Sequence, residues 1–216
     1  MEDAQTLQRG MNYEFKPNYS LILMSRRSNA PYNDRILDDG ITIEYEGHDQ
    51  PKTSHDFDPK AFDQLKFTSK GTLTQNGYFI EAVEHYKKKT KPPEIVKVYE
   101  KLYAGIWSLK GFFELIDFRL HFDGQRNVFK FILRLTGMQD AFTSESIDLK
   151  HFRLIPSEIK KEVWVRDKGK CVICGETKNL HFDHDLPFSK GGTSLKAENI
   201  KILCAKHNLS KSDKIE

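Results

Sequence analysis

The chain of 216 residues is 38% hydrophobic and 12% aromatic, enough to bury the core of one large domain or two modest ones. No run of about 18 apolar residues occurs, and the N-terminal stretch MEDAQTLQRGMNYEF lacks the charged-then-apolar layout of an export signal; no membrane association is expected, and the expected compartment is cytoplasmic. The net charge is +3, and residues 154 to 216 carry 12 Lys/Arg against 9 Asp/Glu, so the basic excess lies wholly in the C-terminal part and leans slightly toward a polyanionic partner.

From residue 19 to 135 the pattern is that of strands. YSLILMSR, GITIEYEG, EIVKVYEKL, GIWSLKGFFELIDFRLHF and NVFKFILRL are rich in β-branched and aromatic residues, with alternation such as Phe129, Phe131, Leu133, Leu135. Between the second and third runs, NGYFIEAVEHYKKK has apolar residues at helical spacing and stops before Pro92-Pro93. This predicts an α+β unit, a curled sheet or barrel with one helix against it. From about 136 to 155 the chain turns polar and loses alternation, as a linker does. A short helix is predicted at PSEIKKEVWVRDKG, with Ser157 as its cap and Gly169 as its stop. NLHFDHD then reads as a strand, LPFSKGGTSLKAEN as a loop, IKILC as a second strand and AKHNLSKSDK as a short helix.

All three cysteines fall in the last part of the chain. Cys171 and Cys174 form one pair separated by two residues, Cys204 and His207 another, with 29 residues between the pairs. An odd number of cysteines in a cytoplasmic chain argues against a disulfide framework. The spacing is that of a closed tetrahedral zinc site, each pair biting from a tight turn; buried thiols with a surface histidine are the plainer alternative.

The unit clamped by these ligands is ββα. Its residues, Cys-x-x-Cys, then Asp-His-x-x-Pro-x-Ser-Lys-Gly-Gly, then Asn, then Leu-Cys-x-x-His-Asn-x-x-Lys, resemble the HNH (ββα-metal) nucleases over roughly 156 to 214. The resemblance implies that His184 is the general base toward water, a role suited to an imidazole that titrates near neutral pH. It implies that Asp183 and Asn208 hold one catalytic divalent ion, Mg²⁺ or Mn²⁺ or another divalent transition ion, through hard oxygen ligands. Asn199 would pin the loop that orients His184, and Gly191-Gly192 would let that loop pass close by. Cys171, Cys174, Cys204 and His207 would hold structural zinc, His207 standing where many members carry a fourth cysteine and Asn208 where many carry a metal-binding histidine. Lys190 and Lys211 are candidate phosphate contacts, the alternative being solvated lysines; His181 is read as an ordinary histidine.

The stretch APYNDRILDDGITIEYEGHD, followed by NGYFIEAV, EIVKVYEKL, KGFFELIDF and FKFILRL, resembles the SRA base-flipping domains over about 19 to 136. That resemblance implies an SRA/PUA-like fold that grips a flipped 5-methyl- or 5-hydroxymethylcytosine, with Tyr32 and Tyr45 as stacking rings and Asp34 on the Watson-Crick edge. Extrusion of a base costs a few kcal/mol, an amount that stacking and edge hydrogen bonds can return. The plainer readings are a strand aromatic for Tyr45 and a turn residue for Asp34. Arg26, Arg27 and the lysines from Lys87 to Lys91 are candidate phosphate contacts. Together the two resemblances imply an SRA-like reader (1–137), a linker (138–155) and an HNH nuclease domain (156–216). The joint expectation is a modification-dependent restriction endonuclease acting on double-stranded DNA with modified cytosine, possible as a homodimer because one ββα site cuts one strand. An HNH endonuclease for an unmodified sequence and a non-catalytic zinc module that binds nucleic acid are the alternatives.

Overall fold

The strand-forming runs of the N-terminal half assemble into one seven-stranded sheet. In chain order its strands are β1 (Met11–Lys16), β2 (Tyr19–Met24), β3 (Arg35–Ile36), β4 (Thr42–Glu46), β5 (Glu94–Tyr103), β6 (Ile106–Phe122) and β7 (Asn127–Leu135), with helix α1 (Gln75–Lys87) between β4 and β5. The computed structural model describes residues 10–52, 54–136, 154–186 and 192–211. By its internal contacts the chain divides into two units, Met1–Glu145 and Ser146–Glu216; the expected linker falls mostly outside the described residues.

The sheet order is β1-β2-β5-β6-β7-β4-β3. Only β2 and β5 pair in parallel, with Ser20 opposite Val96 and Met24 opposite Glu100; the other neighbours are antiparallel. A parallel pair needs a long crossover, and the stretch carrying β3, β4 and α1 supplies it. Helix α1 starts at Thr74, whose hydroxyl accepts from the Gly77 N–H at 3.1 Å. Its Phe79, Ile80, Ala82 and Val83 pack with Ile22, Val96, Val98, Phe113, Leu115, Phe131 and Leu133 of the sheet in one apolar core. Each such side chain, fully buried, stabilises the fold by about 1.5–3 kcal/mol. Opposite Val98, β6 carries an extra residue at a bulge, and Gly111 supplies the φ of +146° that the kink demands.

Tyr45, on β4, sends its hydroxyl to the Gly10 carbonyl at 3.0 Å, just before β1. Those strands stand at the first and sixth places of the sheet, so a direct bond between them requires the sheet to curl. Among the described residues the two edges, β1 and β3, do not pair with one another, and the curl stops short of a closed barrel.

The second unit holds α2 (Ser157–Arg166), the hairpin of β8 (Leu180–His184) and β9 (Ile200–Cys204), and α3 (Ala205–Lys211). Ser157 does not cap α2 as expected. Pro156 takes the cap position without a side-chain bond, and Ser157 is the buried first residue of the helix. The small core joins Ile155, Val163, Ala197, Ile200 and Ile202. Arg166 ties α2 to the hairpin, donating to the carbonyls of Ala197 and Ile200, while its neighbour Asp167 accepts from the Ile202 N–H. No helix among the described residues is long and apolar enough to cross a membrane.

Candidate functional site

The four residues expected to hold zinc converge. Cys171, at the tight turn after α2, Cys204, at the end of β9, and His207, in the first turn of α3, meet Cys174 so that all four ligand atoms lie within 4.8 Å of one another. A tetrahedral zinc with ordinary bond lengths needs edges of about 3.8 Å between sulfurs and about 3.5 Å between sulfur and nitrogen. The Cys174 and Cys204 sulfurs are 3.9 Å apart, and His207 Nδ1 lies 3.4 Å from Cys171 and 3.2 Å from Cys204. The donor set therefore fits zinc in chemistry and in spacing. Burial pushes the Cys171 thiol up, but the backbone N–H groups of Cys204, Cys174 and Ile173 and the His207 ring outweigh it and bring the group down to about 6, which favours the thiolate that a metal requires.

Strand β8 starts opposite Cys204, at Leu180, and ends on Asp183 and His184. Consecutive strand residues face opposite ways, and here Asp183 is half-buried while His184 is buried. The His184 Nε2 lies 2.8 Å from the Ser194 hydroxyl, itself buried. Asn199 clasps the chain that leaves β8: its Oδ1 accepts from the Leu186 N–H at 2.8 Å, and its Nδ2 donates to the carbonyls of Leu186 and Thr193. A Cβ on Gly192 would stand 1.9 Å from the Leu186 carbonyl oxygen, so glycine is required for that approach. Lys190 and Gly191 lie outside the described residues. Asn208 is half-buried on α3, one turn before Lys211, and residues so spaced share a helix face.

Lys211 departs from expectation. It is 1% exposed, donates to Asp183 Oδ2 at 2.7 Å and also donates to the His184 carbonyl. A buried ammonium held in this way cannot reach a phosphate, so the phosphate role is withdrawn. His181 is exposed on β8, as an ordinary surface histidine would be.

In the N-terminal unit a cavity of about 350 Å³ opens between the 25–34 loop and the sheet, with Arg27, Tyr32, Asp34, His48, Lys101 and Trp107 among its walls. Two buried acids hold that loop. Asp34 accepts from the Ser25 and Glu46 N–H groups at 3.0 and 3.1 Å, and Glu46 accepts from the Asn33 N–H and from Lys130, which also reaches the Asn33 carbonyl. Tyr32 stacks on His48 with centroids 4.8 Å apart and planes 7° from parallel, while the Lys60 ammonium stands 4.1 Å from the Tyr32 centroid. Tyr45, in contrast, is 1% exposed in the core and bonded to Gly10 and to His48 Nε2 at 2.8 Å. It cannot stack on a base, because the curl of the sheet encloses it; the strand-aromatic reading is correct. Arg26 is engaged by the buried Glu100 at 2.9 Å rather than presented to a phosphate, and Lys87 is paired with Asp117. His48, Trp107 and Ser194 were not singled out in the sequence. His48 could have been, since it follows the strand run by two residues, but nothing near Trp107 or Ser194 signals a site.

Burial pushes the Asp34 carboxyl up to about 7, against the pull of the Ser25 and Glu46 N–H groups, and pushes the His48 imidazole down to about 4. A raised acid gives stability that is complete below its unfolded value and is lost as pH climbs toward 7; a depressed histidine gives stability that is lost as pH falls through 6.5 toward 4. The two slopes oppose each other over pH 4 to 6.5. Asp34→Asn removes the first alone, so the melting temperature of the variant relative to the parent should rise steadily from pH 4 to 7. A difference that stays flat in calorimetry across that range would contradict the burial of a titrating Asp34.

No family model matches the sequence, and none of the curated proteins matches it. Among solved structures, the chain is similar to the SUVH5 SRA domain in complex with hemi-methylated CG DNA, at 20% identity and a TM-score of 0.40, covering 60% of this chain and 74% of that one. It is also similar to the SUVH5 SRA domain bound to fully hydroxymethylated CG DNA, at 18% identity and a TM-score of 0.41, covering 60% and 75%. A third is Arabidopsis thaliana SUVH6 in complex with SAM, at 17% identity and a TM-score of 0.41, covering 83% of this chain and 27% of that one.

Proposed function

We propose that the chain is a modification-dependent DNA endonuclease, an SRA-like reader of 5-methyl- or 5-hydroxymethylcytosine joined to a one-metal HNH nuclease. The observation that carries the reading is the strand end at Asp183-His184, held by the Asn199 clasp on the chain that follows it and by the Lys211 ammonium on Asp183 and the His184 carbonyl. Asp183, His184, Asn199 and Asn208 together have no evident use in a pure binder.

One ring nitrogen of His184 acts as base, and Ser194, 2.8 Å from Nε2, sets the ring's orientation. The water proton passes to that nitrogen, the water oxygen bonds to phosphorus, and the bond to the 3′ oxygen breaks. Asp183 and Asn208 offer hard oxygen donors that suit Mg²⁺ or Mn²⁺. When bound there, the ion offsets charge on the phosphate and the departing oxygen. Asn199 holds Leu186 and Thr193, on either side of the chain that follows β8. In the reader, Tyr32, His48, Trp107 and Asp34 line one cavity; a base stacked on Tyr32 would take the place of the Lys60 ammonium over that ring, and the Asp34 carboxyl would accept from a cytosine amino group. One centre cuts one strand, so a double-strand break calls for a dimer or two visits.

The test is cleavage and binding of matched duplexes bearing plain, methylated, hydroxymethylated or glucosylated cytosine, in Mg²⁺, Mn²⁺, Co²⁺ and Ni²⁺ in turn. Modified duplexes should be cut, amplified modification-free DNA should be spared, and Tyr32→Ala should weaken binding to modified DNA by about 5- to 150-fold, the worth of one stacked base. Equal cutting of all four substrates would end the reader assignment. A zinc module that binds without cutting is favoured by one observation, the Lys211 ammonium that already balances Asp183; absence of cleavage with every ion would select it.

A further inference from the structure

Resting on the nuclease reading, we infer that Lys211 is a positioning residue of the candidate centre, holding one oxygen of Asp183 and the His184 carbonyl so that a single carboxylate oxygen is presented to the divalent ion. Three features of the fold carry this. Lys211 is 1% exposed although it bears a charge, and its ammonium contacts both of the consecutive residues that end β8. Charged side chains are rarely this buried unless paired, and here the pair is a member of the candidate metal-binding set. The helix that delivers Lys211 is itself anchored by the zinc ligand His207, one turn earlier at i−4, and carries Asn208 at i−3. The knot therefore fixes the helix that aims an ammonium at this carboxylate.

The chemistry follows from the two oxygens of Asp183. With Oδ2 bonded to Lys211 the carboxylate cannot rotate to embrace an ion with both oxygens, and Oδ1 serves as a single hard donor. The ammonium also balances Asp183 between turnovers, so the centre keeps its geometry while the ion is away. A positive charge so close weakens the hold on the ion, which keeps binding loose and exchange fast.

The experiment compares the full chain with Lys211→Met, close in volume and uncharged, and with Lys211→Arg, following Mn²⁺ binding by the loss of its free electron-spin resonance signal, zinc content, and cleavage of a modified duplex. Lys211→Met should retain zinc, bind Mn²⁺ about tenfold more tightly because a nearby like charge is gone, and cut roughly 100-fold more slowly at saturating ion because Asp183 and His184 are misplaced. Lys211→Arg should keep the parent affinity. A filler of the core would leave Mn²⁺ affinity unchanged, and a merely structural role would weaken affinity and rate together; either result overturns the assignment. Should Lys211→Met lose zinc, melting decides: Asp183→Asn alone should melt below the double variant Asp183→Asn/Lys211→Met, and the reverse order overturns the pairing. Mn²⁺ binding that Asp183→Asn abolishes, with no duplex cut by the parent, would sink the nuclease reading but not the placement of Lys211. Mn²⁺ binding indifferent to Asp183→Asn would sink both.

Discussion

Replacing His184 with alanine should lower the rate of phosphodiester cleavage by about 100- to 10,000-fold, the usual contribution of a positioned general base, with zinc content and affinity for DNA preserved. The imidazole is poised by the Ser194 hydroxyl at 2.8 Å and sits at the last residue of β8, where the backbone is still held by pairing with Ile200. Alanine keeps that pairing and removes only the ring. The side cost is a buried Ser194 hydroxyl that loses a partner, about 1–3 kcal/mol, so His184→Gln, whose amide can still meet Ser194, is the companion variant. Both should be equally slow if proton transfer is what the ring contributes. Cleavage that persists undiminished in either, measured on purified zinc-loaded protein, removes His184 from the reaction.

Withdrawing the metal from the Cys₃His knot should unfold the C-terminal unit while the N-terminal sheet melts as before. Structural zinc supplies about 10–16 kcal/mol to small domains of this kind. The unit's own core is slight: five buried apolar residues on α2, the hairpin and their flanks. Around the knot itself the buried apolar company is Leu203 with the half-buried Leu180, and Val172 and Ile173 stand half exposed to solvent. Chelator titration followed by circular dichroism, or Cys204→Ser in calorimetry, should show one transition lost and one kept. Two transitions that survive complete removal of zinc would mean that α2 and the β8–β9 hairpin suffice alone. The knot also anchors α3 through His207, so zinc-free protein should not cleave even when the catalytic divalent ion is restored at saturating concentration.

The strands of the reader and the ββα order of the second unit were legible because both rest on local signals: β-branched and aromatic alternation in β2, β4, β5, β6 and β7, and ligand pairs at fixed spacing. β1 escaped because MNYEFK mixes charge into its alternation, and it is held as an edge partner of β2 by long-range pairing. β3 is two residues long, too short for any pattern. At the sites, spacing located the zinc ligands, and the Asn199 clasp sits where the motif places it. What spacing could not say is which side of the sheet a residue faces once the sheet curls. Tyr45 was placed on a base and is instead sealed in the core; Lys211 was placed on a phosphate and is instead paired with a carboxylate, because the pitch of a seven-residue helix tied down by His207 decides where it points.

The parallel pairing of β2 with β5 sets the order in which the chain can mature. During synthesis the YSLILM segment leaves the ribosome roughly 4 to 15 seconds before Val96 and its neighbours are made, at translation rates of about 5–20 residues per second. Until then only β1 can shield it, and its other edge and its Leu21, Ile22 and Met24 side chains wait uncovered. Newborn chains therefore pass through a stage in which an apolar edge solicits any available strand. Yield in cells should depend more on growth temperature and chaperone supply than the stability of the finished sheet would suggest.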